Sequence, residues 1–165
     1  MKRTVLFFIL LFQINGFAQA THHNIMIGLS SEFSLLSCGY EYTYRSATKD
    51  NITHAFGLQV GYNEEFRLNL SFFGEKPKIT PLKQYVTING HYSMNFGKSR
   101  SKLELGIGAG GIGEAFGIYP LIGYRLIPLN KYRISFRITA NYPILLSNTP
   151  KILFLPIGIN LGFSF

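Results

Sequence analysis

The chain has no tryptophan, one cysteine and only 15% charged side chains among its 165 residues. The single cysteine, Cys38, excludes an intramolecular disulfide framework, and no Cys/His spacing suits a zinc site. No stretch after residue 20 supplies the roughly 18 uninterrupted apolar residues that a membrane-spanning helix requires. Helical periodicity is missing too: apolar positions do not recur at i, i+3, i+4 and i+7 over any long window after that point.

Glycine, phenylalanine and tyrosine are abundant instead, with 17, 15 and 10 copies. This is a composition of strand-formers and turn-formers. The chain opens on Lys2 and Arg3, runs through the apolar stretch from Val5 to Phe12, and reaches Ala18-Gln19-Ala20. That is the three-part layout of a secretory signal peptide, expected to be cut after Ala20. Residues 21–165 then form one domain. The net charge of +8 is spread along the chain rather than gathered in a stripe. Together with the export signal, this argues against a nucleic-acid partner and favours anionic lipid headgroups or lipopolysaccharide phosphates.

The dominant pattern is alternation. Tyr132, Ile134, Phe136, Ile138, Ala140 and Tyr142 interleave with Lys131, Arg133, Ser135, Arg137, Thr139 and Asn141. Successive strand residues point to opposite faces, so one face of this segment is apolar and the other polar. Phe56 to Tyr62, Val86 to Phe96, Leu103 to Ala109 and Ile157 to Phe165 repeat the pattern. In a soluble barrel the inward face is the apolar one. Here glycines, amides and ions share one face, while aromatics recur near the ends of the other. That is the transmembrane arrangement, with an apolar band outward, aromatic girdles and a polar lumen. Cys38 reads as a small membrane-facing hydrophobe.

Short connections at Ser46–Asp50, Gly97–Ser101 and Pro128–Asn130 suit periplasmic turns; the longer ones, Tyr62–Lys83 and Tyr142–Lys151, fall outside the cell. The expected fold is all-β: an eight-stranded antiparallel transmembrane β-barrel, an up-and-down meander with strands near 24–31, 35–45, 51–62, 84–96, 102–110, 117–127, 131–143 and 153–165. A ninth candidate, Phe66, Leu68, Leu70 and Phe72, is assigned to the outer loop because Pro77 and Pro81 follow it.

Pro120-Leu-Ile-Gly-Tyr-Arg125, Phe136-Arg137, Tyr142-Pro143 and Leu155-Pro-Ile-Gly-Ile-Asn-Leu-Gly-Phe-Ser-Phe165 carry a family resemblance. Leu103 to Gly108 and Gly39-Tyr-Glu-Tyr42 extend it. The chain resembles small outer-membrane β-barrel proteins of the kind common in Bacteroidetes, Gram-negative bacteria. The resemblance implies fold and location but no substrate. The alternating tail ending at Phe163 and Phe165 looks like the signal read by the outer-membrane assembly machinery.

Inward parity assigns Glu41, Arg45, Gln59, His91, Glu104, Arg125, Arg133 and Arg137 to the lumen. An eight-stranded barrel is filled by side chains, so charges of both signs are expected to pair as a plug. The function expected is structural, or interaction with lipid or the cell surface, by a monomer without catalysis, cofactor or metal. One alternative is a membrane-embedded lipid esterase. His91 and Ser93 with Glu104 on the next strand supply the residue types of a relay, in the manner of lipid A deacylases. Another is surface adhesion or ligand capture by the charged outer loop, residues 63–83. His22 and His23, adjacent on a strand, face opposite ways and make no metal site. The glycines from Gly106 to Gly113 are followed by no helix and no Lys-Ser/Thr, which excludes a phosphate loop.

Overall fold

The computed structural model describes residues 18–46, 51–65, 83–127, 133–146 and 156–165. Among these there is no helix. Nine strand segments follow one another: β1 (Ala18–Ser31), β2 (Ser34–Ser46), β3 (Ile52–Glu64), β4 (Gln84–Phe96), β5 (Ser101–Ile112), β6 (Ala115–Leu126), β7 (Ile134–Asn141), β8 (Ile144–Leu145) and β9 (Ile157–Ser164). Each long strand pairs antiparallel with the next in sequence, and β9 pairs back onto β1 from Asn24↔Ser164 to Leu29↔Ile159. The sheet therefore closes on itself, and no edge strand is left open.

The two-residue segment β8 continues β7 rather than adding a stave. β6 pairs down to Leu121↔Asn141 and resumes at Ile118↔Ile144, in the same register. The interruption falls at Tyr119-Pro120 and Tyr142-Pro143, where two prolines offer no backbone N–H. Counted as staves, the barrel is an eight-stranded meander.

Two tight turns lie at one end. Gly113, at φ +56°, turns β5 into β6 between the paired Ile112 and Ala115, and Glu32, at φ 55°, turns β1 into β2 between Ser31 and Ser34. Ala18, Phe165 and residues 97–100 lie at the other end.

The faces divide as period two requires. Ile27, Leu58 and Val86 point outward at 60%, 68% and 67% exposure, along with Cys38. Asn24, Thr43, Gln59, Asn89, Thr139 and Asn160 point inward and are buried. His22 and His23 fall on opposite faces, as adjacent strand residues must. Among the described residues, the interior has one apolar patch, Phe33, Ile112, Tyr119 and Leu121, gathered beneath the two tight turns.

Some boundaries differ from the sequence expectation. β1 begins at Ala18 rather than residue 24, although its register is irregular before Thr21↔Tyr44. Cleavage after Ala20 would leave every pair from Thr21 onward intact. The seventh strand, expected to run unbroken through 131–143, stops at Asn141 because Pro143 cannot donate to a ladder. The segment around Phe66, Leu68, Leu70 and Phe72, most of the loop 63–83, and residues 151–155 lie outside the described residues.

Candidate functional site

Polar side chains converge inside the barrel because of where glycine stands beside them. Glu41 on β2 is in register with Gly57, His91 on β4 with Gly57 and Gly108, and Glu104 on β5 with Gly123. A Cβ at Gly57 would land on the His91 imidazole, and one at Gly108 on the Tyr119 ring. Glycine at these places is what lets large side chains lie across a narrow lumen.

Arg125 on β6 is the hub. Its guanidinium grips Glu41 through two bonds, Nη1 to Oε1 at 2.5 Å and Nη2 to Oε2 at 2.7 Å. The same group donates to Glu104, from Nη2 at 2.9 Å and from Nε at 3.3 Å. Arg137 on β7 donates its Nε to Glu104 at 2.9 Å and reaches Glu32 in the β1–β2 turn at 3.4 Å. Asn24 Nδ2 donates to Glu41 at 3.2 Å, and Ser93 Oγ donates to Glu104 at 2.5 Å. His91 Nε2 stands 3.3 Å from Glu41 Oε2. All of these groups are buried, Glu104 at 0% and Arg137 at 1% exposure.

Three carboxylates thus face two guanidiniums and one imidazole. Fork-to-carboxylate geometry of this kind gives strong, directional bonds. Removing these ion pairs from water is costly, and the cluster is stable only as a unit in which each charge keeps its partners. It ties together six strands, β1, β2, β4, β5, β6 and β7, and it crosses the axis of the barrel.

The sequence-predicted residues are placed unevenly. Glu41, Gln59, His91, Glu104, Arg125 and Arg137 are buried inside, with Gln59 accepting from Ser37 at 3.3 Å. Arg45 and Arg133 are not in the cluster; both are exposed where their strands end. Their parity is inward, but at the mouth of the barrel a long side chain reaches water instead. Sequence reasoning missed Glu32 and Phe33, turn residues that fold back into the interior. It also missed Tyr119 and Leu121, apolar residues on an otherwise polar face.

The relay imagined for His91, Ser93 and Glu104 does not assemble. Ser93 donates directly to Glu104, while His91 turns its Nε2 to Glu41 and its Nδ1 has no partner. The Ser93 hydroxyl is thus bonded to Glu104 within the ion cluster rather than to the His91 imidazole. Among the described residues, no group of His, Cys, Asp and Glu is arranged to hold a metal ion.

Outside, near the end that carries Ala18 and Phe165, aromatic rings touch one another around the wall. His23 lies against Tyr40, Tyr42 and Phe165, and Tyr44 stacks on His54 and Phe56. The hydroxyls of Tyr40 and Tyr92 bond to the Nδ1 atoms of His23 and His54. Toward the opposite end, Tyr62, Phe116 and Tyr142 are exposed. Compared with protein-family models, curated proteins and solved structures, the chain finds no match in any of the three.

Proposed function

We propose that this chain is an integral outer-membrane β-barrel protein, exported through residues 1–20, whose lumen is plugged and whose role is structural or lipid-interacting. The observation that carries the reading is the inverted distribution of side chains. Isoleucine, leucine and valine cover the outside while ions, amides and hydroxyls fill the inside. In water, a continuous apolar belt would far exceed the roughly 300–600 Å² patch that a soluble monomer tolerates. In hydrocarbon the same belt is the favourable surface, and a closed ring of strands leaves no backbone group unsatisfied at its edges.

The exposed rings near both ends fit aromatic girdles at the two membrane interfaces. The Arg125 cluster and the Phe33 patch, stacked along the axis, fit a barrel that conducts no solute. Phe163 and Phe165, alternating on the last strand, fit a signal for the assembly machinery, and the resemblance to small Bacteroidetes barrels points the same way.

Cell fractionation combined with heat-modifiable gel mobility tests the proposal. The expected result is enrichment with outer-membrane markers and a faster-running unheated form. Recovery in the soluble fraction, with one mobility before and after heating, would sink it.

A further inference from the structure

The outward face carries one groove that the fold itself does not require. In one outward row Tyr40, Leu58, Gly90, Ala109 and Ile118 stand in register across β2 to β6; in the next row Tyr42, Phe56, Tyr92 and Ile107 do so. Gly90 and Ala109 are side by side in the first row. Two small residues there leave a groove of about 620 Å³, walled by Leu58 and Ile118 and bounded by Phe56, Tyr92 and Ile107.

Gly90 differs from the lumenal glycines. A Cβ at Gly57 or Gly108 would meet a ring, whereas one at Gly90 would meet only the mobile tip of Leu58, Cδ2 at 3.3 Å, and the Gly57 carbonyl at 3.8 Å. A side chain has room there, and glycine in a strand interior lowers stability. Every other residue of β4 in the outward row from Val86 to Phe96 is large. Packing therefore gives no reason for the notch, and its size falls within the roughly 300–1,000 Å³ of small-molecule sites.

Charge at the mouth of the barrel identifies what fills it. At the end with Ala18 and Phe165, Arg45 is the last residue but one of β2, and Lys98 and Arg100 occupy the β4–β5 turn, all exposed, at the ends of strands that form the groove. Arg133 lies at the same end. Among the described residues, the opposite end shows Glu64, Glu65 and Glu114 against Lys83. Gly90 and Leu58 stand midway along their strands. Half of a hydrocarbon core is about 15 Å, the depth a chain reaches from a headgroup at one interface.

Resting on the membrane reading above, we propose that the groove holds one acyl chain of an anionic phospholipid whose phosphate lies against Arg45, Lys98 and Arg100. The wall is apolar where the chain lies and basic where the phosphate lies, and the tyrosine hydroxyls fall between the two.

The test uses the full mature barrel refolded with phosphatidylglycerol in zwitterionic detergent and then washed free of excess lipid. Retained lipid per chain is counted by native mass spectrometry and phosphorus assay. Wild type is expected to keep about one molecule. Gly90→Leu and, as a second way to fill the notch, Ala109→Phe should each lower retention at least fivefold. Ala140→Leu, on the outward face of β7 away from the groove, should not. Replacing Arg45, Lys98 and Arg100 with Gln should lower it comparably. Equal retention in wild type and both filled variants overturns the proposal, as does equal retention of phosphatidylcholine and phosphatidylglycerol, or loss on Ala140→Leu. Heat-modifiable mobility and vesicle insertion are scored on every sample. Failure of wild type to insert sinks the membrane reading itself, whereas insertion without groove-dependent retention sinks this inference alone.

Discussion

His23 and Phe165 join the first strand to the residue that follows the last. Phe165 N–H donates to the His23 carbonyl at 2.9 Å, His23 N–H returns a bond at 3.5 Å, and the rings stack with centroids 5.8 Å apart at 24°. The seam they anchor is short, six residue pairs between β1 and β9 against eleven between β1 and β2. Deleting Phe165 removes both the stacking partner and the last backbone pair. The fraction of refolded protein showing heat-modifiable mobility should fall severalfold, with His23→Ala causing a smaller drop. Undiminished closure in both variants would show that the seam does not depend on this pair.

Glu104 is the carboxylate that both arginines share. Glu104→Gln leaves Arg137 with Glu32, at 3.4 Å, as its charged partner and strips Arg125 of one of its two carboxylates. The expected loss is about 3–5 kcal/mol in reversible urea unfolding from vesicles. Replacing Glu104 and Arg137 together by leucine should cost less than the sum of the single changes, because no charge is then stranded. Strict additivity would contradict the cluster as a unit.

Ser93 tests the relay directly. Ser93→Ala loses one bond to a carboxylate and should cost about 1.5–3 kcal/mol. The wild-type hydroxyl should not be labelled by a fluorophosphonate, and lipid-ester cleavage should be the same in wild type, His91→Ala and Ser93→Ala. Covalent labelling at Ser93 would restore the esterase reading.

Two glycines should respond in opposite ways. Gly108→Val drives a side chain into the Tyr119 ring and should abolish closure as read by gel mobility. Gly90→Leu should close normally. A folded Gly108→Val protein would mean that the interior yields more than its packing indicates.

Arginine scanned along the outside should report depth. Leu58→Arg, midway along β3, is expected to cost about 2–4 kcal/mol in a bilayer, and Leu36→Arg, near a strand end, about 0–1 kcal/mol. A flat profile would be incompatible with a lipid-facing belt.

The fold was largely legible because period two is a local signal and the barrel is built from little else. β4 runs over Gln84–Phe96, the expected span, since the alternation from Val86 to Phe96 is interrupted by no proline. β1 was read short because the stretch from Ala18 to His23 has no apolar alternation to announce it. The site was less legible. Parity places His91, Ser93 and Glu104 on one face, but their partners come from Glu41, Arg125 and Arg137 on strands far along the chain, and those decide which bonds form. Glu32 and Phe33 turn inward through a left-handed backbone at a hairpin tip, a three-dimensional consequence with no period to betray it. Arg45 and Arg133 show the converse: parity fixes direction, while height along the axis decides whether a charge meets partners or solvent.

The missing rungs at Pro120 and Pro143 give the wall a designated place to tear. A closed hoop under thermal stress parts most readily where a ladder is interrupted, and here the contact between β6 and β7–β8 skips from Leu121↔Asn141 to Ile118↔Ile144. Amides flanking the gap, those of Ile118, Ile122 and Ile144, should trade their protons for deuterium earliest among the paired ones. Unravelling should start there and spread along the circumference, with the Arg125 cluster as the last tie to let go.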